Sequence, residues 1–319
     1  MHEFEIINKY FSKLSLNNKS SLDLNDDVFF DKSKKLIISV DTYVEGIHFI
    51  NFKDPKLVIK KIIRSSISDL ICKGVYPKYY FISGSGDKKS FSKKNLGLIA
   101  KSLKQEQKKY SIHLCGGDTV FSKKLSFTII SVGFSNKIIK RNRAKIDDDI
   151  YVTGNLGDSF IGLMILKKKI RLSKNLMSYF KKQYYHPDLK IKLAKKLLLF
   201  ANTSIDISDG LVTDLEKMIN KQKFSYNLYL KNIPVSNNLK KLIDNKVIKK
   251  ISSVSRGDDY QILFTASPSK SRIIYKTSKS LGIKVSKIGK ILNHSQKSQI
   301  FDEKNEIITL KNKGYFHEF

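Results

Sequence analysis

Cysteine is nearly absent: Cys72 and Cys115 are the two thiols in 319 residues. That excludes a small secreted scaffold stapled by disulfides and any zinc site built from several thiolates. Long hydrophobic runs are missing too. Stretches such as 197–201 and 35–40 fall far short of the ~18–20 apolar residues that cross a bilayer. The opening residues, MHEFEIINKYF, lack the basic start and apolar stretch of a signal peptide. The expectation is a soluble cytoplasmic protein with no membrane partner. Acid is the scarcer charge, with 29 Asp and Glu against 60 Lys and Arg, for a net charge of +31.

Such a basic chain can bind nucleic acid by neutralising phosphates. Here, however, lysine is spread along the whole length, and Asn, Ile and Ser are also abundant. That is the composition an AT-rich coding sequence produces. No RNA-recognition, helix-turn-helix or zinc-finger pattern occurs, and aromatics are not interleaved with one basic cluster. We read the charge as a source of non-specific attraction and expect no specific nucleic-acid partner.

What is there is enough apolar residue, 41%, to build real cores in a chain whose length suggests two domains. Strands are expected at 35–41, 79–83, 111–115, 125–134, 149–153, 204–207, 226–230, 260–266 and 284–291. Helices are expected at 55–74, 92–110, 157–169, 188–201, 209–222 and 270–281. In the 92–110 helix, Leu96, Ile99, Ala100 and Leu103 share one face. A Gly-Gly-Asp turn separates the strands at 111–115 and 125–134. The charged segment 135–149 reads as the boundary, dividing the chain into 1–140 and 141–319. Strands and helices mix without a regular βαβ rhythm, which argues for two α+β domains.

The informative feature is a set of aspartates at the ends of elements. They are Asp26 and Asp27, Asp41, Asp69, Asp118, Asp158, Asp206 and Asp209, and Asp258 and Asp259. Several directly follow apolar strands, and several adjoin glycine or serine, where backbone can approach a ligand. Asp69 lies one turn after Ser65 and Ser66, which predicts an acid and hydroxyls on the face away from the apolar one. Clustered carboxylates do not stay ionised together without cations between them. Hard oxygen ligands select Mg²⁺ or Ca²⁺, and Mg²⁺ commonly bridges carboxylates to phosphates. No G-x-x-x-x-G-K-[ST] loop exists, and no G-x-G-x-x-G opens a helix after a strand. The turns before Asp158 and around Asp209 instead offer helix N-termini suited to phosphate.

Taken in order, NDDV, SVDTYVEGIHF, SDLICKGVYP, CGGDT, DDDIYVTGNLGDSFIGL, IDISDGLVTDL and GDDYQILFT span nearly the whole chain. The sequence resembles the thiamine-monophosphate kinase family, within the superfamily of aminoimidazole-ribonucleotide synthetase and selenophosphate synthetase. The resemblance implies an N-terminal mixed α/β sheet domain that binds metal and ATP and dimerises through its sheet. A C-terminal α+β domain would complete the active site. It implies ATP as phosphoryl donor, thiamine monophosphate as acceptor, several Mg²⁺ ions, and direct in-line transfer in a homodimer. Metal ligands would fall on Asp27, Ser39, Asp41, Asp69, Asp118, Asp206 and Asp209, with Asp118 and Asp209 catalytic. ATP contacts would fall on Gly117, Asp118, Arg141 and Ser208, and acceptor contacts on His48, Asp258 and Tyr315.

The chain departs from the family pattern in three places. Leu24 and Asn25 precede the first acids where glycines are usual. Val40 removes a hydroxyl, and Asp258 reaches about one methylene less than the usual glutamate. Two other functions compete. A selenophosphate synthetase needs a reactive thiol near the N-terminus, yet Cys72 is the first cysteine. A basic nucleic-acid-binding protein has no use for six ordered aspartates.

Overall fold

The computed structural model describes residues 3–310 and 314–315. Its strands form two sheets. The first is built from β1 (Phe29–Asp31), β2 (Leu36–Val44), β3 (Pro77–Gly86), β4 (His113–Phe121) and β5 (Ser126–Phe134), in the order β1-β2-β5-β3-β4. Its neighbours are antiparallel except β3 and β4, which run parallel. The second contains β6 (Asp149–Thr153), β7 (Thr203–Asp206), β8 (Ser225–Tyr229), β9 (Ile262–Ala266), β10 (Val285–Leu292) and β11 (Gln299–Phe301), in the order β11-β8-β10-β6-β9-β7. The architecture is α+β, as expected. Among the described residues, no helix is long and apolar enough to cross a membrane.

The helix Pro55–Cys72 joins the two halves. Asp54 caps it by accepting from the amides of Lys56 and Leu57, and Pro55 fits the first turn. It packs on β2 and β5 of the first sheet and on β7 of the second. Its surroundings therefore bury it on nearly every side. Ser65 and Ser66, predicted on the face away from the apolar one, are buried as well. Ser65 Oγ donates to the Lys61 carbonyl, and Ser66 Oγ meets Ser131 Oγ on β5. One core cluster runs from Ile59 and Ile63 on this helix through Phe127 and Ile129 on β5 to Tyr260 and Phe264 in the second half.

The other face of the first sheet is bare. Along β2, Ile37, Ser39 and Tyr43 are buried against the helix while Val40 is 61% exposed. Every residue of the edge strand β4 is exposed, Leu114, Val120 and Phe121 included. The expected Gly-Gly-Asp turn is a correction: Gly116, Gly117 and Asp118 lie inside β4, paired with Phe81, Ile82 and Ser83. The glycines are needed because β-carbons there would press on β3. One at Gly117 would sit 1.8 Å from the Ile82 carbonyl oxygen.

Other expectations shift. The helix predicted at 188–201 is a 3₁₀ turn, Ile191–Leu193, and a single helical turn, Ala194–Leu197. Helices Lys174–Tyr185 and Asn237–Asp244 were not predicted. The helix expected from Asp209 runs from Leu211 to Met218, with Gly210 as its N-cap. In the helix Lys93–Tyr110, Ile99 and Leu103 are buried, but Leu96 and Ala100 are exposed.

Candidate active site

Three carboxylates meet where the Pro55–Cys72 helix passes between the sheets. Asp41 comes from β2, Asp69 from the helix, and Asp206 from the end of β7. Strand alternation puts Ser39 and Asp41 on the helix side of β2, and Ser39 Oγ donates to Asp69 Oδ2. Burial, then the neighbouring Asp206 carboxylate, pushes Asp41 up to about 7. Burial, then Asp41 and Asp206, holds Asp69 well above the usual carboxylate range. Burial raises Asp206 as well, against hydrogen bonding from Ser68 and the charges of Lys73 and Arg141. Asp41 Oδ2 is shielded from solvent with no hydrogen-bond partner. Acids buried this close together call for a cation.

A second acidic group lies beside the first. Lys73 Nζ is 2.8 Å from Asp26 Oδ1 and 2.6 Å from Asp27 Oδ2. The Arg141 guanidinium pairs with Asp27, and its backbone amide donates to Asp26. Asp209 pairs with Lys217. Asp214 was missed by sequence reasoning although it shapes this loop. Fully buried, it accepts from the amides of Asp209 and Gly210, and burial followed by Asp209 pushes it up to about 8. Its signal was an acid inside the first turn of a short helix, a place where a solvated side chain is the ordinary expectation.

The loop 206–210 is clamped to the segment 257–261. Asp258 N donates to the Ser208 carbonyl, and Tyr260 N to the Ile207 carbonyl. A β-carbon at Gly257 would sit 1.7 Å from the Ser208 oxygen, so only glycine fits. Asp258 and Tyr260 both hold positive φ, 68° and 50°, a strained pair in consecutive turns of chain. Tyr315 N donates to the Asp209 carbonyl, which brings the C-terminal segment to the same loop.

Asp258 also meets Lys61, 2.5 Å away, whose ammonium lies 3.8 Å from the centre of the Tyr184 ring. Tyr184 donates through its hydroxyl to the His48 carbonyl. His48 accepts at Nδ1 from Val44 N, which fixes the proton of the neutral ring on Nε2. A cavity of about 330 Å³ opens beside this group, lined by Asp158, Asp188, Asp258, Asp259 and Lys284 among others. Asp158 accepts from Tyr179 and Ser236 rather than capping its own helix.

The structure thus gathers Asp27, Ser39, Asp41, Asp69, Arg141, Asp206, Ser208 and Asp209 into one region, with Tyr315 on its edge. His48 and Asp258 sit together nearby, joined by Lys61 and Tyr184. Gly117 and Asp118 stand apart. Asp118 accepts from Thr119 N on the exposed edge strand, in register with Ser83, Thr128 and Thr42. Two strands separate it from Asp41, about 14 Å at ~4.8 Å per strand. Among the described residues, no three acidic, histidine or cysteine side chains close around one point in metal-holding geometry. The all-oxygen donor set and the unpartnered Asp41 oxygen nevertheless fit Mg²⁺.

The AIR synthase related protein N-terminal domain family matches residues 25–135. The thiamine-monophosphate kinase of Buchnera aphidicola subsp. Acyrthosiphon pisum is 33% identical over 326 residues, covering 99% of this chain and 98% of its own length. The chain belongs to the thiamine-monophosphate kinase family. The Haemophilus influenzae member is 31% identical over 301 residues, covering 91% of this chain and 89% of its own. The solved structure of AaThiL complexed with AMPPCP and TMP superposes with a TM-score of 0.85 at 25% identity, covering 99% of this chain and 97% of that one. Membership makes the chain an enzyme of the phosphotransferase class.

Proposed function

We propose that the chain transfers the terminal phosphoryl group of ATP to thiamine monophosphate, giving thiamine diphosphate and ADP as the last step of thiamine diphosphate synthesis. The observation that carries this reading is the buried Asp41–Asp69–Asp206 group, in which burial and neighbouring carboxylates raise Asp41 and Asp69 and one Asp41 oxygen is left unpartnered. Several bound Mg²⁺ ions would neutralise these acids and two phosphate chains at once, so that donor and acceptor can meet in line. Asp27, Ser39, Asp41, Asp69, Asp206 and Asp209 are the ligands this chain offers, with Asp118 added as described below.

The remaining residues position the substrates. Arg141, which pairs with Asp27, would also meet the triphosphate. Ser208 and Gly117 present backbone and hydroxyl to the nucleotide. His48, Asp258 and Tyr315 face the acceptor, with Asp258 braced by Lys61. The acidic lining of the adjoining cavity suits the cationic rings of thiamine monophosphate. No general base is assigned, because the acceptor phosphate is already largely ionised at neutral pH.

Homodimerisation through the first sheet completes the proposal. Its support is the bare outer face, where Val40 and Phe81 flank Ile130 in one row, and the unpaired edge of β4. A second copy would also bring Gly117 and Asp118 to an acidic group that they do not reach within their own chain. We place the division of labour at 140/141, with metal and ATP binding before it and completion of the site after it. The enzyme would work in the cytoplasm.

The test is a coupled ADP-release assay with thiamine monophosphate or thiamine as acceptor, with and without Mg²⁺. The expected result is Mg²⁺-dependent turnover of the monophosphate and little of thiamine. Equal turnover of both acceptors overturns the reading.

A further inference from the structure

Lys73 is a lysine with no access to water at all, at a position where the sequence gives no hint of burial. It caps the C-terminus of the Pro55–Cys72 helix, four residues after Asp69, where a cation is favoured by the helix dipole. Ile139 N donates to its carbonyl, and Gly74, at φ 83°, turns the chain away immediately afterwards. The backbone is therefore fixed from both sides. The side chain runs inward to three acceptors: Asp26 Oδ1 at 2.8 Å, Asp27 Oδ2 at 2.6 Å and the Ser204 carbonyl at 2.8 Å. An ammonium has three protons to donate, and all three are used. Asp26 and Asp27 expose only 4% and 10% of their side chains. Ser204 lies on β7, two residues before Asp206, so one ammonium ties together the N-terminal acidic loop, the helix that carries Asp69 and the strand that carries Asp206. Its field reaches both of those carboxylates.

A charge so placed does what a bound cation would do at the same acids, but it is covalently part of the chain. We infer that Lys73 is a built-in counter-ion of the acidic site, which competes with metal for Asp27 and weakens Mg²⁺ binding to the acids beside it. This rests on the Mg²⁺-binding part of the proposed function. Two consequences follow from the sign of the charge. The nucleotide-free enzyme keeps its acidic loop docked without metal. Its Mg²⁺ affinity in that state is lower than the acids alone would give, so metal loading depends on the nucleotide's own phosphates.

The test is Lys73→Met, which keeps the length of the side chain and removes its charge. Calorimetric titration of the nucleotide-free protein with MgCl₂ and the thermal midpoint in EDTA or in MgCl₂ are measured beside the parent chain. The expected result is at least tenfold tighter Mg²⁺ binding. The midpoint should fall several degrees in EDTA and recover in MgCl₂, while the parent's midpoint moves little between the two. Unchanged Mg²⁺ affinity, with the midpoint lowered equally in both buffers, makes Lys73 a structural residue only and overturns the inference, leaving the metal-dependent reading intact. Absence of Mg²⁺ binding to either protein, with or without ATP, overturns both. If Lys73→Met does not fold, the double variant Asp26→Asn/Lys73→Met removes one acid along with the cation. Recovery of a folded protein supports the counter-ion role, and failure to recover overturns it.

Discussion

The two acidic groups of the site use the same residue type in opposite ways. Asp26 and Asp27 are satisfied by Lys73 and Arg141 and behave as a buried ion-pair network. Asp41, Asp69 and Asp206 lie close together: burial raises all three, and neighbouring carboxylates add to the rise at Asp41 and Asp69. The first group is balanced, so removing one partner strands a buried charge and destabilises the fold. The second destabilises it, because the chain supplies too little positive charge there. Carboxylates held together at a cost to stability mark a place where function has overridden folding.

The sharpest way to break the comparison is a pair of isosteric variants. Asp41→Asn should lower turnover by roughly 10²–10³-fold, the scale of losing one preorganised electrostatic contact. Its metal-free thermal midpoint should nevertheless rise, since one repelling charge is gone. Asp27→Asn should also lower turnover, but its midpoint should fall by roughly 6–9 °C, from about 3 kcal/mol at 2–3 °C per kcal/mol. Scanning calorimetry in EDTA beside the ADP-release assay reads both. Midpoints that move in the same direction would erase the distinction.

Asp209 lies between the two groups, paired with Lys217 yet beside the buried Asp214. Asp209→Asn should cost at least ~10²-fold in turnover. The fold should persist, since Gly210 and Asp214, not Asp209, shape the helix start. Normal turnover in this variant would remove Asp209 from the site.

Lys61→Met sharpens the comparison on the acceptor side. Asp258 loses its brace while the acidic groups are untouched, so the KM for thiamine monophosphate should rise about tenfold with the KM for ATP unchanged. Steady-state kinetics in both substrates separate the two, and a loss confined to ATP would place Lys61 elsewhere.

The smallest effect lies far from the acids. Burial, then Arg64 and the nearby lysines Lys60, Lys182 and Lys109, lowers His186 to about 4. The folded chain therefore binds this proton less readily than the unfolded chain. Its contribution to stability is complete above about 6.5 and is lost as pH falls toward 4. His186→Gln should flatten the midpoint-against-pH curve by a degree or two within that window. An unchanged slope would show that the ring titrates freely.

Much of this arrangement was legible in the sequence where local rules and the site agree. The apolar run into Asp41 gave the strand, though it continues to Val44 and leaves Asp41 in its interior, where alternation puts Ser39 and Asp41 on one face. The repeat of Val58, Ile62 and Ile67 gave the central helix. What was hidden depends on contacts between distant segments. Lys73 reads as an ordinary surface lysine, since its acceptors lie 47 residues before it and 131 after it. Asp214 reads as a solvated helix acid until the loop before it turns its Asp209 and Gly210 amides onto the carboxylate and buries it. Gly116 and Gly117 read as a turn because glycine usually marks one. Here they let β4 lie close against β3, and that edge carries Asp118 away from the acids with which its sequence motif groups it.

The exposed edge has a bearing on the life of a single chain. A strand with unpaired amide and carbonyl groups, and with Leu114, Val120 and Phe121 uncovered, is a template for indiscriminate pairing. The net charge of +31 opposes that fate as colloidal protection. Copies repel at range, so an encounter lasts only when its short-range fit is good enough to outweigh the repulsion. Salt shortens that range to about 8 Å at physiological strength. Newly made chains therefore avoid clumping best where ionic strength is low, and lose this protection where it is high.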